Sequence, residues 1–301
     1  MAIERENEKF SACGYGLLGL CCSACLLGPC RLSPFDEESA KGLCGDNRDL
    51  IVAKNLLRLA IGEAAYEIKN LKQAVLQNIS SPYPEKTFPT VWSLFHDTQF
   101  PSQSHVDLLL DSIYITRRED AGVGDILIRA LQISILIFIS EELRLRMNRF
   151  AKGKSSSGDH DHLEGFPGII LLIRDDVPCS GSVIEMANEV QRILDRKVFS
   201  LSISEMGALP EIGRGLSEKW ALPVTEMKLI VLISSRFLSP ILGALGLGFT
   251  VASFPPLPFH GSGEVEKFFC EDLQKRFGNV YLPSWEEDLV SKLVKTLRDN
   301  S

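Results

Sequence analysis

Apolar residues recur at helical spacing through LIVAKNLLRLAIGEAAYEIKNLKQAVL, residues 50–76. Asp49 is placed to cap the start of this helix, and Pro82 and Pro84 to end it. Lys54, Arg58, Lys69 and Lys72 mark a second, polar face. VDLLLDSIYITRRE and GDILIRALQISILIFISEELRLRM carry the helical pattern on to about residue 150. The periodicity then stops in AKGKSSSGDHDHLEG, which reads as a linker. From Gly168 the pattern changes to short apolar or alternating runs, GIILLIR, KVFSLSI, KLIVLIS and FTVASF, separated by helical stretches such as SVIEMANEVQRILDR. Strands alternating with helices predict a parallel sheet with crossover helices. The expected fold is therefore α followed by α/β: a helical domain over 1–150, a linker over 151–166, and one Rossmann-like three-layer domain over 167–301. The glycines of GALGLG lack the strand, glycine turn and helix order of a dinucleotide site, so they are expected to permit close helix packing.

Charge and length narrow the function classes. A chain of 301 residues is long enough for two domains with real cores, since domains mostly run about 100 to 200 residues. Its net charge of −7 argues against nucleic acid and against an anionic membrane surface as partners. The most apolar run, Leu131 to Ile139, falls far short of the ~20 residues of a membrane span and reads as a buried helix. MAIERENEKF has no apolar signal-peptide core, so a cytoplasmic location with reduced thiols is expected.

The chemistry is concentrated near the N-terminus, where six of the eight cysteines fall in the order C13-x7-C21-C22-x2-C25-x4-C30-x13-C44. A disulfide framework is disfavoured by the absence of a secretory signal. Zinc on Cys22-x2-Cys25 and two later cysteines remains a rival, but it leaves two cysteines unexplained. An iron-sulfur cluster needs four thiolates, which Cys22, Cys25, Cys30 and Cys44 supply, leaving Cys13 and Cys21 over. Two chains paired about a twofold axis would supply four such leftover thiolates, so the count suggests a second cluster bridging a homodimer. Cys21 and Cys22 suit that division, because neighbouring side chains diverge.

CGYGLLGLCCSACLLGPCRLSPF followed by GLCGDNRDLIVAKNLLRLAIGEAA resembles the N-terminal domain of the anaerobic nickel-iron carbon monoxide dehydrogenases, with the spacing of all six cysteines matching. The resemblance implies [4Fe-4S] clusters: one within each chain on Cys22, Cys25, Cys30 and Cys44 (the B-cluster), and one shared between chains on Cys13 and Cys21 (the D-cluster). CSGSVIEMANEV, LPVTEMKLIVLIS and SPILGALGLGFTVASFPPLPFHGSGEVEKFF look, more loosely, like the last domain of the same enzymes. The long middle of the family has no counterpart, and with it go most ligands of the nickel-iron active centre, which in the family are one histidine and five cysteines. Beyond Cys44 the chain has only Cys179 and Cys270. Cys179 matches the last of those ligands and reads as a relic, whereas Cys270 reads as an inert buried thiol. The family's catalytic histidine falls by count near Glu67 and its catalytic lysine near Ile241.

These features lead to an expected iron-sulfur electron-transfer protein: a homodimer with no nickel and no catalytic residue of its own, served by a ferredoxin-like or larger redox-enzyme partner in an anaerobic cytoplasm. Two alternatives remain, an oxidoreductase with an altered metal centre near Cys179 and a structural or redox-sensing cluster protein. Asp159-His160-Asp161-His162 reads as a solvated linker run rather than a metal site, and His260 stands without a named partner. No Ser-His-Asp order, P-loop or HExxH helix occurs.

Overall fold

The computed structural model of the chain describes residues 13–35, 40–78, 103–118, 120–151, 169–173, 185, 188–193, 198–202, 230–235, 237–254, 257–259, 263–277 and 281–283. Cys179, the Asp159 to His162 run, His260 and the two expected helix-ending prolines, Pro82 and Pro84, lie outside them.

A short turn of helix, α1 (Gly14–Leu17), leads into a small antiparallel ribbon of β1 (Cys21–Cys22) and β2 (Cys30–Arg31). The long helix α2 (Arg48–Asn78) follows, then α3 (Gln103–Ile115) and α4 (Val123–Ala151). The start of α2 differs from the sequence expectation. Asn47, not Asp49, provides the cap, its Oδ1 accepting the Leu50 N–H at 2.9 Å. Asp49 lies within the first turn and accepts instead the N–H groups of Glu264 and Val265 at the head of α6 (Gly263–Lys267). The charged face of α2 is also not uniformly polar. Lys54 is buried, donating to both carboxylate oxygens of Asp46 at 2.8 and 2.9 Å and to the Arg118 carbonyl at 3.1 Å. A buried cation is tolerated only with such partners, because the desolvation cost must be offset by close charge and hydrogen bonds.

The C-terminal part holds a five-stranded parallel sheet of β3 (Ile169–Ile173), β4 (Val198–Ser202), β5 (Ile230–Ser234), β6 (Thr250–Phe254) and β7 (Tyr281–Pro283). Its order is β4-β3-β5-β6-β7, and Ile230 of β5 stands between Ile169 of β3 and Thr250 of β6. This is the doubly wound order whose reversal lies between β3 and β5. Helix α5 (Ser239–Gly246) connects β5 to β6; after α6 a π-helical turn, Phe268–Asp272, runs into α7 (Leu273–Phe277). The chain thus joins a helical part to a Rossmann-like α/β part.

One continuous apolar core links the two. Val52, Leu56 and Ala60 of α2 pack with Ile126, Leu127 and Ala130 of α4, with Ile241, Leu242 and Leu245 of α5, and with Val231, Ile233 and Val251 of the sheet. In the apolar run of α4, Leu131, Ile133, Leu136 and Ile137 are buried, and among the described residues no helix is long and apolar enough to cross a membrane. The GALGLG glycines fall at the end of α5, before a strand rather than after one. A Cβ on Gly246 would come within 2.9 Å of Ile135, so the absence of a side chain lets α5 lie close on α4, and Gly248 at φ 91° turns the chain into β6. Phe259 stacks on Phe269 and both meet Tyr281 edge-on, at 5.3 to 5.9 Å; the buried Tyr281 hydroxyl accepts the Leu257 N–H at 2.7 Å and shares a bond with Ser253, and burial raises its pKa above the usual phenol range against these two bonds, which lower it.

The N-terminus of α5 is closed by a distant residue. Glu63 of α2 accepts the backbone N–H groups of Leu238 at 2.9 Å and Ser239 at 2.8 Å, and also bonds the Ser239 hydroxyl. In open α/β sheets this end of a helix after a central strand is where anionic ligands settle. Here a carboxylate of the chain itself holds that place. Glu63→Ala removes the acceptor from two half-buried N–H groups and is expected to cost about 1 to 3 kcal/mol, read as a lower urea midpoint with an unchanged slope. Glu63→Gln keeps an acceptor oxygen and should lose less. Equal losses in both variants would show that the carboxylate is not capping α5.

Candidate metal centre

The ribbon folds the cysteines together by main-chain pairing. Cys22 lies opposite Cys30 and Cys21 opposite Arg31. Between the strands the chain turns back on itself: Gly28 donates to the Cys25 carbonyl at 3.2 Å, and Gly28–Pro29 is cis. A Cβ on Gly28 would meet the Cys22 carbonyl at 3.0 Å and the Cys25 carbonyl at 3.4 Å, so the loop closes over these two residues only because it carries no side chain there. The fourth cysteine arrives on a separate turn, in which Gly42 donates to the Asp46 carbonyl at 2.8 Å and Gly45 to the Gly42 carbonyl at 2.9 Å. A Cβ on Gly42 would stand 3.7 Å from the Cys30 Cβ, which places the Cys44 turn against Cys30. The Lys54–Asp46 pair fastens the far end of that turn to α2.

The ribbon rests on one stripe of α2. Ile51 packs with Cys22 and Leu32 in a small apolar cluster of its own, with Cys30 and Ala24 at its margin. Asn55 Nδ2 donates to the carbonyls of Gly19 at 3.0 Å and Cys21 at 2.9 Å. Arg58 Nη1 stands 3.9 Å from the Cys22 sulfur and donates to Asn55 Oδ1 at 3.0 Å. Positions 51, 55 and 58 share one helix face, so this helical spacing is the signal through which sequence reasoning could have found Asn55 and Arg58 beside the cysteines. In the sequence alone Arg58 reads only as part of a polar face.

Electrostatics differ among the thiols. Cys13, exposed at the head of α1, receives the backbone N–H groups of Gly16 and Tyr15, which hold its thiol below the ordinary range, with a smaller contribution from the Arg31 charge. Arg31 thereby relates Cys13 to Cys21, its partner across the ribbon. Cys44 is exposed too, but loss of water in its turn pushes its thiol up, opposed by a backbone bond from Asp46 and reinforced by the Asp46 carboxylate. Cys22 is buried, Cys21 and Cys30 are half-buried and Cys25 is exposed.

The donor set fits an iron-sulfur cube. Four thiolates come from two strands, the loop between them and a neighbouring turn, with a guanidinium at one sulfur to meet the negative charge that four thiolates bring. Among the described residues no three His, Cys, Asp or Glu side chains converge as the ligands of a single ion would. A cube spreads its ligands over four separate iron corners and does not require that convergence. Cys22, Cys25, Cys30 and Cys44 would hold such a group within the chain, and Cys13 and Cys21 would offer a half-set at its edge.

The other sequence candidates lie apart. Glu67 faces Arg144 of α4 across 3.4 Å, an ion contact that ties α2 to α4. Ile241 is buried in α5. Cys270, expected to be buried, is instead half-buried, because the π-helical turn rotates it out between the buried Phe269 and the exposed Glu271.

Residues 20–111 match the Prismane/CO dehydrogenase family. Carbon monoxide dehydrogenase 1 of Methanosarcina acetivorans is 44% identical over 75 residues, 25% of this chain and 12% of that protein. The carbon monoxide dehydrogenase of Methanopyrus kandleri is 32% identical over 132 residues, 40% of this chain and 20% of that protein. The chain thus aligns with a fifth or less of these relatives' length. The solved structure of carbon monoxide dehydrogenase IV from Carboxydothermus hydrogenoformans superposes with a TM-score of 0.60 at 11% identity, covering 97% of this chain and 94% of that one, which is a likeness of fold.

Proposed function

We propose that this chain, which belongs to the Prismane/CO dehydrogenase family through residues 20–111, is an iron-sulfur electron-transfer protein that carries one [4Fe-4S] cluster per chain and shares another between two chains. The observation that carries the reading is the ribbon: Cys22 and Cys30 are paired across it, Cys25 lies in its loop, and the Cys44 turn is seated on Cys30. Bound there, such a cluster would accept and release single electrons. The chain's part is to hold four thiolates at fixed positions, to supply positive charge from Arg58, and to keep one edge of the site at the surface. That edge carries exposed apolar side chains beside the cysteines, Tyr15 and Leu17 next to Cys13, Leu26 and Leu27 next to Cys25, and Leu43 next to Cys44. An apolar surface of this kind around Cys13 suits a second copy of the chain, with a ferredoxin-like protein or a larger redox enzyme as the electron partner.

The same reading assigns no nickel centre. Two residues support it: Glu67, near the position of the family's catalytic histidine, is engaged with Arg144, and Ile241, near that of the lysine, is buried in apolar packing and has no group that can carry a proton. Anaerobically purified protein is expected to hold about twelve irons and as many sulfides per dimer, with no stoichiometric nickel and no carbon monoxide dependent dye reduction. Zinc in place of iron would sink the cluster reading, and nickel near one per chain would sink the assignment of a purely electron-carrying role.

A further inference from the structure

Arg58 is held more tightly than a surface arginine needs to be. Its Nη1 meets the Cys22 sulfur at 3.9 Å and the Asn55 Oδ1 at 3.0 Å, while the other end of the Asn55 amide is tied to the Gly19 and Cys21 carbonyls, immediately before Cys22. The guanidinium and the sulfur are thus positioned from both sides by the same short segment. Cys22 is buried and Arg58 half-buried, and among the described residues no carboxylate pairs with Arg58. Its charge is therefore left directed at the thiolate, in surroundings where water screens it less than at an open surface.

We infer that Arg58 is a positioning residue that raises the reduction potential of the cluster held by Cys22, Cys25, Cys30 and Cys44, acting through the Cys22 sulfur; this rests on the cluster reading above. A four-iron cube with four thiolates carries two negative charges when oxidised and three when reduced. One electron from a low-potential one-electron donor is added, no bond breaks and no proton is required. A fixed positive charge favours the more negative state, and a hydrogen bond to a ligating sulfur acts in the same direction. Arg58 provides both at once.

The test is an EPR-monitored redox titration of the full chain, purified anaerobically as wild type, Arg58→Gln and Arg58→Lys, with iron measured in each. Arg58→Gln removes the charge and is expected to keep its iron, while at a fixed solution potential its ratio of reduced to oxidised cluster falls about tenfold, a downward shift of about 59 mV for a one-electron couple. Arg58→Lys restores the charge and should stay within about threefold of wild type. An unmoved midpoint in fully loaded Arg58→Gln overturns the inference, as does a lysine variant shifted as far as the glutamine one. Should Arg58→Gln alone fail to load, Arg58→Met takes its place as the neutral variant; if that also purifies without iron while wild type is loaded, Arg58 serves assembly and the tuning role is wrong. Iron-free wild type is a different failure, that of the cluster reading itself.

Discussion

The Cys13→Ser, Cys21→Ser double variant is expected to purify with about eight irons per two chains instead of about twelve, and to dissociate into monomers at concentrations where wild type stays dimeric. The cluster on Cys22, Cys25, Cys30 and Cys44 should persist, because its four thiolates are set by the main-chain pairing of the ribbon, which a side-chain change at Cys21 leaves in place, and by the Gly42 and Gly28 turns, which neither substitution touches. Cys13 and Cys21 are suited to a shared group in three ways. Cys13 is exposed with a thiol that backbone N–H groups already hold toward the thiolate; Cys21 stands across from Arg31, whose charge reaches Cys13; and Tyr15 and Leu17 leave apolar surface beside them. Serine is close in shape and a far poorer ligand for iron, so the loss reads ligation rather than packing. Iron analysis and analytical ultracentrifugation of the double variant decide the matter. An unchanged iron count with an intact dimer would remove both residues from the ligand set.

Much of this arrangement is written in local sequence. The apolar period of residues 50–76 marks α2, and the four runs from GIILLIR to FTVASF mark β3 to β6, since β-branched residues in short blocks between helical segments have few other ways to be buried. The cysteine spacing singles out the ribbon's chemistry, though not the ribbon. Strands of two residues leave no alternation to detect, and β7 is only Tyr-Leu-Pro, ending in a residue that cannot donate to a ladder. Contacts between distant segments were not legible for a different reason. Lys54 reads as a solvated charge until the turn that carries Asp46 is brought over it, and Glu63 reads as a helix-surface acid until α5 is brought to its carboxylate. Asp49 and Asn47 are both good helix caps, and which of them serves α2 depends on α6, more than 200 residues away, requiring the other.

Gly19→Ala is expected to be the most destabilising single substitution in the cluster region, at about 2 to 5 kcal/mol, because two independent costs fall on one methyl group. Gly19 sits at φ 71°, in the left-handed region, which costs a residue with a Cβ about 1 to 2 kcal/mol. Its Cβ would also be driven well inside contact distance of the Pro258 carbonyl oxygen, with Val52 at 3.4 Å behind it. A backbone carbonyl cannot swing aside as a side-chain end can, so relief requires the 257–259 segment to move, disturbing the bond from the Leu257 N–H to Tyr281 and the packing of Phe259. Gly45 separates the two costs. It lies at φ 85° but a Cβ there would meet nothing within 4 Å, so Gly45→Ala should lose only the conformational part, about 1 to 2 kcal/mol. The excess in Gly19→Ala then measures the close approach of the cysteine-bearing segment to the α/β part. Urea midpoints of the two anaerobically purified variants, compared at matched iron content, give that difference. Equal losses at both positions would mean that Gly19 is needed for its backbone angle alone, and that the contact with Pro258 does not fix the cluster ribbon to the rest of the fold.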